Sequence, residues 1–282
     1  MAITTVGVVG SGIMGSGLAE VIARGGMNVI VRSRSQATAD AMVASVSKGL
    51  SKQVEKGRLT EDEKGAILGR ITAVSDLSKL ADCDLVIESV VEDLETKKSL
   101  FAELDKVVKA GAIIATNTST LPVIEMAMST GRPELVCGIH FFNPATAMPL
   151  VEIVRPLSAS DETIAAATGF AEACGKQPVQ VKDRAGFIVN ALLFPYLNNA
   201  VRMLEQGTAN MADIDTAMKG GCNFPMGPFA LLDLVGLDTS LAILDALYNE
   251  FRDPNYAAVP TLRRMVAAGQ LGRKTKSGFY TY

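Results

Sequence analysis

The sequence has few of the residues that bind metals or form disulfides. It contains a single histidine, no tryptophan and four cysteines. The cysteines lie far apart, with no C-x-x-C pair, at Cys83, Cys137, Cys174 and Cys222. This spacing excludes the familiar zinc sites and predicts reduced, mostly buried thiols in a reducing compartment. We therefore expect no metal site.

Two further absences exclude whole classes of protein. The formal net charge of −3 argues against general nucleic-acid binding. No apolar run approaches the roughly 20 residues that a membrane-spanning helix needs, and the first predicted strand starts too close to the N-terminus for a signal peptide. We expect a cytoplasmic protein that binds neither nucleic acid nor membranes.

The chain is instead rich in apolar residues, which make up 48% of its 282 residues. Over residues 1–185, strand-like apolar runs alternate with helical patterns, which predicts a Rossmann-type α/β domain with a mostly parallel sheet. Helical patterns at 36–56 and 60–69 predict a helical hairpin inserted into this domain. Residues 186–282 show only helical patterns. They predict an all-α second domain that packs on the first, on a second copy of the chain, or on both.

The first strand-like run leads into a glycine-rich turn. A strand starting near Thr5 is followed by G-x-G-x-x-G and then by a helix. Gly10 permits a sharp turn, Gly12 leaves room for a pyrophosphate near the backbone, and Gly15 lets the helix pack closely on the strand. A second strand from Asn28 completes the context of a dinucleotide site. The predicted cofactor contacts in this turn are Gly10, Gly12, Ile13, Met14 and Gly15.

The end of the second strand bears on the choice of dinucleotide. Sites for NAD usually carry an acidic residue there, which accepts hydrogen bonds from the ribose hydroxyls. This chain has Arg32, Ser33 and Arg34 instead, and no carboxylate before Asp40. Guanidinium groups pair with a 2′-phosphate that an acid would repel, so the cluster favours NADP(H). NAD(H) stays open, because arginines can also be solvated or stack on the adenine.

The only histidine, His140, ends a predicted buried strand. A lone histidine is as often a core or surface residue as a functional one. Here it lies at the carboxyl end of its strand, where open α/β sheets bind ligands, and a Phe-Phe-Asn-Pro loop follows that would shield it from water. Glu152, on the next predicted strand, lies near enough for its carboxylate to hold the imidazole. Since imidazole titrates near neutrality, the pair predicts a general acid/base.

Other polar residues are candidates for substrate binding. Ser119 and Asn190 are candidate donors to a substrate oxygen, although Ser119 can equally cap a helix and Asn190 can be a helix-surface amide. A lysine-rich face at residues 48–56 is usually only solvated. It can also meet the phosphates of a long anionic substrate.

A set of motifs, in order along essentially the whole chain, resembles the 3-hydroxyacyl-CoA dehydrogenase family, most of all its bacterial members that act on 3-hydroxybutyryl-CoA. The motifs are Gly10 to Gly15, Asn117 to Thr120, His140 to Pro144, Gly186 to Asn190, Pro225 to Pro228, and Gly272 to Tyr280.

The resemblance implies oxidation of an (S)-3-hydroxyacyl-CoA, or the reverse reduction, with a nicotinamide cofactor. It implies that His140 is the catalytic acid/base and that Glu152 is its partner. Ser119 and Asn190 match the residues that hold the C3 oxygen of the substrate. Asn143 is expected to line the same pocket, on the side of the cofactor as well as of the substrate.

The resemblance also assigns roles farther from the reacting carbon. Glu92, Lys97 and Asn117 match positions on the cofactor side of the site. Lys52 and Lys56 fall where the inserted hairpin of the family meets the CoA phosphates. The helical second domain is similar to the dimerisation domain of the family, which implies a homodimer.

One position departs from the family pattern. Members that use NAD usually have an acidic residue where this chain has Ser33, and this departure supports NADPH. An NADPH enzyme favours the reduction of acetoacetyl-CoA, because cells keep the NADP pool reduced.

Two alternatives to an acyl-CoA dehydrogenase stay open. One is a dehydrogenase of the same architecture that acts on a non-CoA hydroxy acid or sugar acid. The other is a non-catalytic NADP-binding protein. The histidine–glutamate pair argues against hydroxyisobutyrate-type relatives, which rely on a catalytic lysine, and against a sensor, which needs no acid/base pair.

Overall fold

The structure, a computed structural model that describes residues 2–282, divides into two compact units. The first unit ends at Asp183 and the second begins at Arg184, whereas the sequence pattern puts the boundary after residue 185. Each unit has its own cluster of buried apolar side chains.

One sheet forms the centre of the first unit. Its strands are β1 (Thr5–Val9), β2 (Asn28–Arg32), β3 (Ile71–Val74), β4 (Leu85–Glu88), β5 (Ile113–Thr116), β6 (Val136–Phe141), β7 (Leu150–Arg155) and β8 (Gln177–Lys182). These eight strands lie in the order β3-β2-β1-β4-β5-β6-β7-β8. Neighbouring strands are parallel except for β6 and β7, which are antiparallel. The predicted mostly parallel sheet is confirmed.

The central strands are continuous apolar runs rather than alternating ones. Every residue of β4, β5 and β6 is buried. This is the pattern of strands that are covered on both faces, and it explains why the sequence reveals them clearly.

The helices of the first unit connect these strands. They are α1 (Ile13–Arg24), α2 (Gln36–Glu55), α3 (Glu61–Leu68), α4 (Leu94–Val107), α5 (Val123–Ala127) and α6 (Asp161–Ala173). Ser35, Thr60 and Asp93 begin α2, α3 and α4, because each side chain accepts a hydrogen bond from an amide three residues later. Helices α2 and α3 pack on each other, as the predicted hairpin requires.

The second unit is helical, as predicted. Its helices are α7 (Val189–Glu205), α8 (Met211–Cys222), α9 (Pro228–Val235), α10 (Leu237–Phe251) and α11 (Pro260–Ala267). Their apolar faces meet around large buried side chains such as Phe194, Phe229 and Leu247.

The C-terminal residues form a structure that the sequence pattern does not predict. Isolated β-bridges join Ser277 to Gly272 and to Thr281. The carboxylate of Asp233, on α9, accepts hydrogen bonds from the amides of Phe279 and Tyr280 at 2.9 and 2.8 Å. The expectation of helices alone beyond residue 186 is therefore incomplete.

The four cysteines differ in their surroundings. Cys83 and Cys137 are buried, Cys174 is half-buried and Cys222 is exposed, and all four are free thiols. Burial raises the pKa of Cys83, Cys137 and Cys174 to about 12, so these thiols stay protonated at neutral pH. Cys222 is the exception to the predicted burial of most thiols.

Neither a membrane segment nor a metal cluster is found within residues 2–282. None of the helices there combines the length and the apolar character that crossing a membrane requires. In the same residues, no three histidine, cysteine or acidic side chains are grouped closely enough to hold a metal ion.

Candidate active site

Most predicted site residues of the first unit lie on the segments that follow the parallel strands. The register aligns the last residues of β1, β4 and β5, which are Val9, Glu88 and Thr116. Because β1, β2, β4, β5 and β6 are parallel, the segments that follow them leave the sheet on the same side, which we call the carboxyl edge. His140 lies there, near the end of β6. Open α/β sheets bind their ligands at this edge.

In the glycine-rich turn between β1 and α1, the backbone leaves no room for a side chain at two of the three glycines. Gly10 has a φ of +124°, and a Cβ there would collide with the carbonyl oxygen of Ser89. A Cβ on Gly15 would collide with the carbonyl oxygen of Gly10. A Cβ on Gly12, by contrast, would meet no protein atom within 4 Å. Open space at a helix N-terminus fits a pyrophosphate that approaches the backbone.

Hydroxyl groups organise the segment that follows β2. Ser33 is 5% exposed. Its Oγ donates a hydrogen bond of 2.9 Å to Oγ of Ser11 and shares another of 2.6 Å with Oγ1 of Thr38. The position at which NAD sites usually carry an acid is thus occupied by a neutral hydroxyl group.

The two arginines beside Ser33 have different environments. Nε of Arg32 donates to the carbonyl oxygen of Ser75 at 3.2 Å, so this side chain is partly held by the fold. Arg34 is exposed. A cleft of about 830 Å³ joins this segment to the glycine-rich turn, and its lining includes Gly10, Gly12, Arg32, Ser33 and Arg34.

His140 and Glu152 form a buried pair. The antiparallel register of β6 and β7 sets the two residues directly opposite each other. Nδ1 of His140 lies 2.8 Å from Oε2 of Glu152. The ring of Phe142 covers the imidazole, with 4.5 Å between the ring centroids. A carboxylate at Nδ1 fixes the orientation of the ring, and such an arrangement suits an imidazole for proton exchange at Nε2.

The loop after β5 is tied to its neighbours through Asn117 and Ser119. Oδ1 of Asn117 accepts a hydrogen bond of 2.9 Å from the backbone N–H of Phe141, the residue after His140. The backbone N–H of Ser119 donates to Oε1 of Glu92 at 3.1 Å. The loop is therefore fixed both to β6 and to the segment that follows β4.

Ser119 does not cap the helix that follows it. Helix α5 begins at Val123, and its first two amides donate to the carboxylate of Asp183 at 3.0 and 2.7 Å. The alternative role of Ser119 as a helix cap is therefore wrong, and its hydroxyl is not committed to α5.

Lys97 is enclosed by acidic groups. Its side chain is 1% exposed, and its Nζ lies 2.6 Å from Oε1 of Glu88 and 3.3 Å from Oε2 of Glu92. The ammonium group of Lys97 thus contacts two carboxylates at the carboxyl edge. Lysines on amphipathic helices are usually solvated, so the sequence does not reveal this burial.

Comparisons with known proteins identify the family. Residues 5–184 match the family model described as 3-hydroxyacyl-CoA dehydrogenase, NAD binding domain, and residues 186–282 match the C-terminal domain of the same family. The chain belongs to the 3-hydroxyacyl-CoA dehydrogenase family. The resemblance predicted from the motifs is confirmed, and the NAD-binding domain of the family indicates a nicotinamide cofactor.

Individual members of the family match the chain along its whole length. A 3-hydroxybutyryl-CoA dehydrogenase of Mycobacterium tuberculosis is 49% identical over 100% of this chain and 99% of that protein. Another from Clostridioides difficile is 46% identical over 98% of each chain. The crystal structure of (S)-3-hydroxybutyryl-CoA dehydrogenase PaaH1 from Ralstonia eutropha has a TM-score of 0.97 at 43% identity, covering 100% of this chain and 99% of that one.

The remaining predicted site residues of this dehydrogenase take no part in the contacts described above. Asn143 is exposed, just after the end of β6, and Lys52 and Lys56 are exposed at the end of α2. Asn190 belongs to the second unit, where it is 8% exposed in the first turn of α7. Its alternative role as a helix-surface amide is therefore wrong.

Sequence reasoning missed three residues of the carboxyl edge. Ser11 and Thr38 contact Ser33 through their hydroxyl groups, and Glu88 pairs with Lys97. A charged residue that ends an otherwise apolar buried strand was the available signal for Glu88, because such a residue needs a partner. No comparable signal marks Thr38, which lies among other polar residues of α2.

Proposed function

We propose that the protein interconverts (S)-3-hydroxybutyryl-CoA and acetoacetyl-CoA with NADP(H) as its preferred cofactor. The observation that carries this proposal is the buried contact of 2.8 Å between His140 and Glu152 at the carboxyl edge. The names of the full-length relatives support the same substrate.

The protein residues suit the binding of a nicotinamide dinucleotide. The open space above Gly12 and the free amides at the start of α1 accommodate the pyrophosphate. When bound, the cofactor donates a hydride to the substrate carbon or accepts one from it.

His140 handles the proton that accompanies the hydride. In the reducing direction the protonated ring donates a proton from Nε2 to the ketone oxygen, and in the oxidising direction Nε2 takes the proton of the hydroxyl group. Glu152 holds Nδ1 and stabilises the charged ring. Burial of both side chains keeps water away from this exchange.

Other residues orient the substrate in this proposal. Ser119 and Asn190 donate hydrogen bonds to the C3 oxygen, which places that oxygen beside His140. Asn143 lines the pocket on the cofactor side, and the exposed ammonium groups of Lys52 and Lys56 attract the phosphates of CoA.

The preference for NADP(H) rests on the segment after β2. An acid at the position of Ser33 would repel a 2′-phosphate, whereas the hydroxyl groups of Ser33, Ser11 and Thr38 are neutral hydrogen-bond partners. Arg34 is exposed and adjacent, so its guanidinium group can pair with the phosphate.

A homodimer through the helical domain is also part of the proposal. On α7, Leu192 is 72% exposed and Met203 is 42% exposed. Three helical turns separate these residues, so they lie on one side of the helix. Exposed apolar side chains on one side of a helix favour a symmetric interface with a second copy.

The proposal is tested by mixing the protein with acetoacetyl-CoA and following the absorbance of NADPH and, separately, of NADH. We expect rapid oxidation of NADPH and slower oxidation of NADH. Preference for NADH would leave the reaction intact and remove the cofactor assignment.

The same assay separates the alternatives. Turnover of a sugar acid or another hydroxy acid, with none of any CoA ester, would favour the non-CoA dehydrogenase. Tight NADPH binding with no turnover of either class would favour the binding protein. The histidine–glutamate pair supports catalysis over binding alone.

A further inference from the structure

The carboxylate of Glu88 lies at the centre of a hydrogen-bond network at the carboxyl edge. It is fully buried. Oε1 accepts hydrogen bonds of 2.6 Å from Nζ of Lys97 and from the backbone N–H of Val90, and Oε2 accepts one of 2.8 Å from Oγ1 of Thr116. Both oxygens are therefore held by donors on three different segments.

One route leads from Glu88 to Ser119 through charged groups. Lys97 lies between Glu88 and Glu92, at 2.6 and 3.3 Å. Oε1 of Glu92 accepts hydrogen bonds from the hydroxyl of Thr118 and, at 3.1 Å, from the backbone N–H of Ser119. The side chain of Glu92 is 41% exposed, and on its buried side it is held by Lys97 and Thr118.

A second route reaches the same loop through hydroxyl groups. Oγ1 of Thr116 donates to Glu88 and accepts a hydrogen bond of 3.1 Å from the backbone N–H of Thr118. The hydroxyl of Thr118 in turn accepts one of 3.1 Å from the amide of Leu121. Two routes from one carboxylate thus converge on Thr118 and its neighbours within residues 117–121.

We propose that Glu88 is a positioning residue for the loop at 117–121, which it holds through Lys97 and Glu92 on one route and through Thr116 on the other. The inference rests on the proposed function, because Ser119 and Asn117 are the loop residues that contact substrate and cofactor there. Removing the charge of Glu88 leaves the buried ammonium with a single anionic partner, the partly exposed Glu92. Glu92 and the loop then lose their restraint.

The opposite end of the same strand offers a matched control. Asp84 directly precedes β4 and accepts hydrogen bonds from Nζ of Lys109 at 2.7 Å and from the amides of Thr4 and Thr5 at 2.8 and 3.0 Å. Its network contains a carboxylate, an ammonium group and backbone amides, as that of Glu88 does. Asp84 lies at the end of β4 opposite the carboxyl edge. An effect of Asp84→Asn on the loop at 117–121 would therefore reflect lost stability of the fold rather than lost positioning.

Hydrogen exchange of the folded protein tests the positioning directly and needs no turnover. In Glu88→Gln, we expect amides within 117–121 to exchange at least about tenfold faster than in the wild type. In Asp84→Asn we expect these amides to exchange at the wild-type rate. Equal exchange of the loop in Glu88→Gln and the wild type would overturn the proposal.

Kinetics tests whether the positioning acts through Ser119. Misplacement of a substrate-binding group costs up to about 100-fold, so we expect Glu88→Gln to lower kcat by a factor on the order of 10 to 100. In a Ser119→Ala background, the same change should lower kcat by less than about threefold, because the two substitutions remove one interaction. Fully multiplicative effects would contradict action through Ser119.

A milder variant covers the case in which Glu88→Gln does not fold. Thr116→Val keeps the ion pair of Glu88 and Lys97 and cuts only the hydroxyl route. We expect faster exchange within 117–121 and a loss of kcat of several-fold, and unchanged exchange there would overturn the proposal. If the wild type turns over no acyl-CoA ester, the proposed function fails, whereas loop exchange still decides the role of Glu88.

Discussion

Both units of the molecule bury carboxylates, but with different partners. In the first unit, Glu88 and Glu152 face an ammonium group and an imidazole at the carboxyl edge. In the second unit, Asp233 accepts hydrogen bonds from backbone amides, and Asp215 accepts them from the amide of Phe229 and from the hydroxyl of Tyr280. At the carboxyl edge, a buried acid held by a cationic or titratable side chain belongs to the candidate site. One that is held by amides indicates architecture.

Glycines of the two units also differ in the space around them. In the second unit, a Cβ on Gly278 or Gly272 would collide with Asp233, and one on Gly227 would collide with Asp215. The backbone thus closes on both acids. In the first unit, Gly12 borders open space. Glycine thus permits close packing at these positions of the second unit and leaves open space at Gly12 of the first.

The largest effect is expected for the residue that moves the proton. His140→Ala should lower kcat by a factor on the order of 10²–10⁴ while the dissociation constant of NADPH stays near the wild-type value. Steady-state kinetics and NADPH fluorescence measure the two quantities. Near-normal turnover would remove His140 from the mechanism.

In the second unit, we expect the loss of a buried acid to lower the stability of the fold. Asp233→Ala leaves buried amides without an acceptor, and we expect it to lower the free energy of unfolding by about 3 kcal/mol. The matched control is Asp245→Ala, which removes an exposed ion pair with Arg263 and should cost less than about 1 kcal/mol. Urea unfolding measures both, and equal losses would mean that Asp233 is not architectural.

Cofactor preference tests the segment after β2. The double variant Ser33→Asp with Arg34→Ile should lower the ratio of kcat/KM for NADPH to that for NADH by at least about tenfold. The new carboxylate repels the 2′-phosphate, and the variant also lacks a charged hydrogen bond. The single variant Arg34→Ile separates the two contributions. An unchanged ratio would show that the 2′-phosphate is held elsewhere.

The smallest effect concerns Asp84, an architectural acid in the first unit. Although burial opposes ionisation, hydrogen bonds from Lys109, Thr4 and Thr5 hold the pKa of Asp84 well below its usual range. The charged form therefore stabilises the fold above the unfolded pKa of about 3.9, and this stability is lost as the pH falls toward the folded pKa. We expect Asp84→Asn to cost about 1–3 kcal/mol at pH 7 and progressively less below about pH 4.

That difference is measured by urea unfolding of both proteins from pH 7 to pH 3. A cost that stays constant over this range would contradict the ionic role of Asp84. The comparison of Asp84 with Glu88 also shows that the role of a buried acid depends on its position within a unit. Asp84 directly precedes β4, whereas Glu88 ends it.

The sequence predicts most of the sheet and the contact between His140 and Glu152 for definite physical reasons. Buried parallel strands are continuous apolar runs, so β4, β5 and β6 stand out. Glu152 follows His140 at a spacing that allows two antiparallel strands to bring them together. The register of β6 and β7 sets the two residues opposite each other.

What the sequence does not predict depends on contacts between distant segments. Lys97 lies on an amphipathic helix, where the sequence pattern predicts a solvated lysine. Its burial depends on the contact with Glu88, the acid that ends β4. Asp233 accepts hydrogen bonds from amides 46 and 47 residues away, and no local sequence pattern indicates these contacts. The exposure of Cys222 likewise depends on how α8 packs.

Turnover by Glu152→Gln tests most directly whether the buried pair carries the proton. The substitution keeps the shape of the side chain and removes the charge that stabilises the imidazolium. We predict that kcat for acetoacetyl-CoA falls by a factor on the order of 10²–10⁴ while the folded variant binds NADPH as the wild type does. A kcat near the wild-type value would contradict the assignment of the proton step to His140 and Glu152.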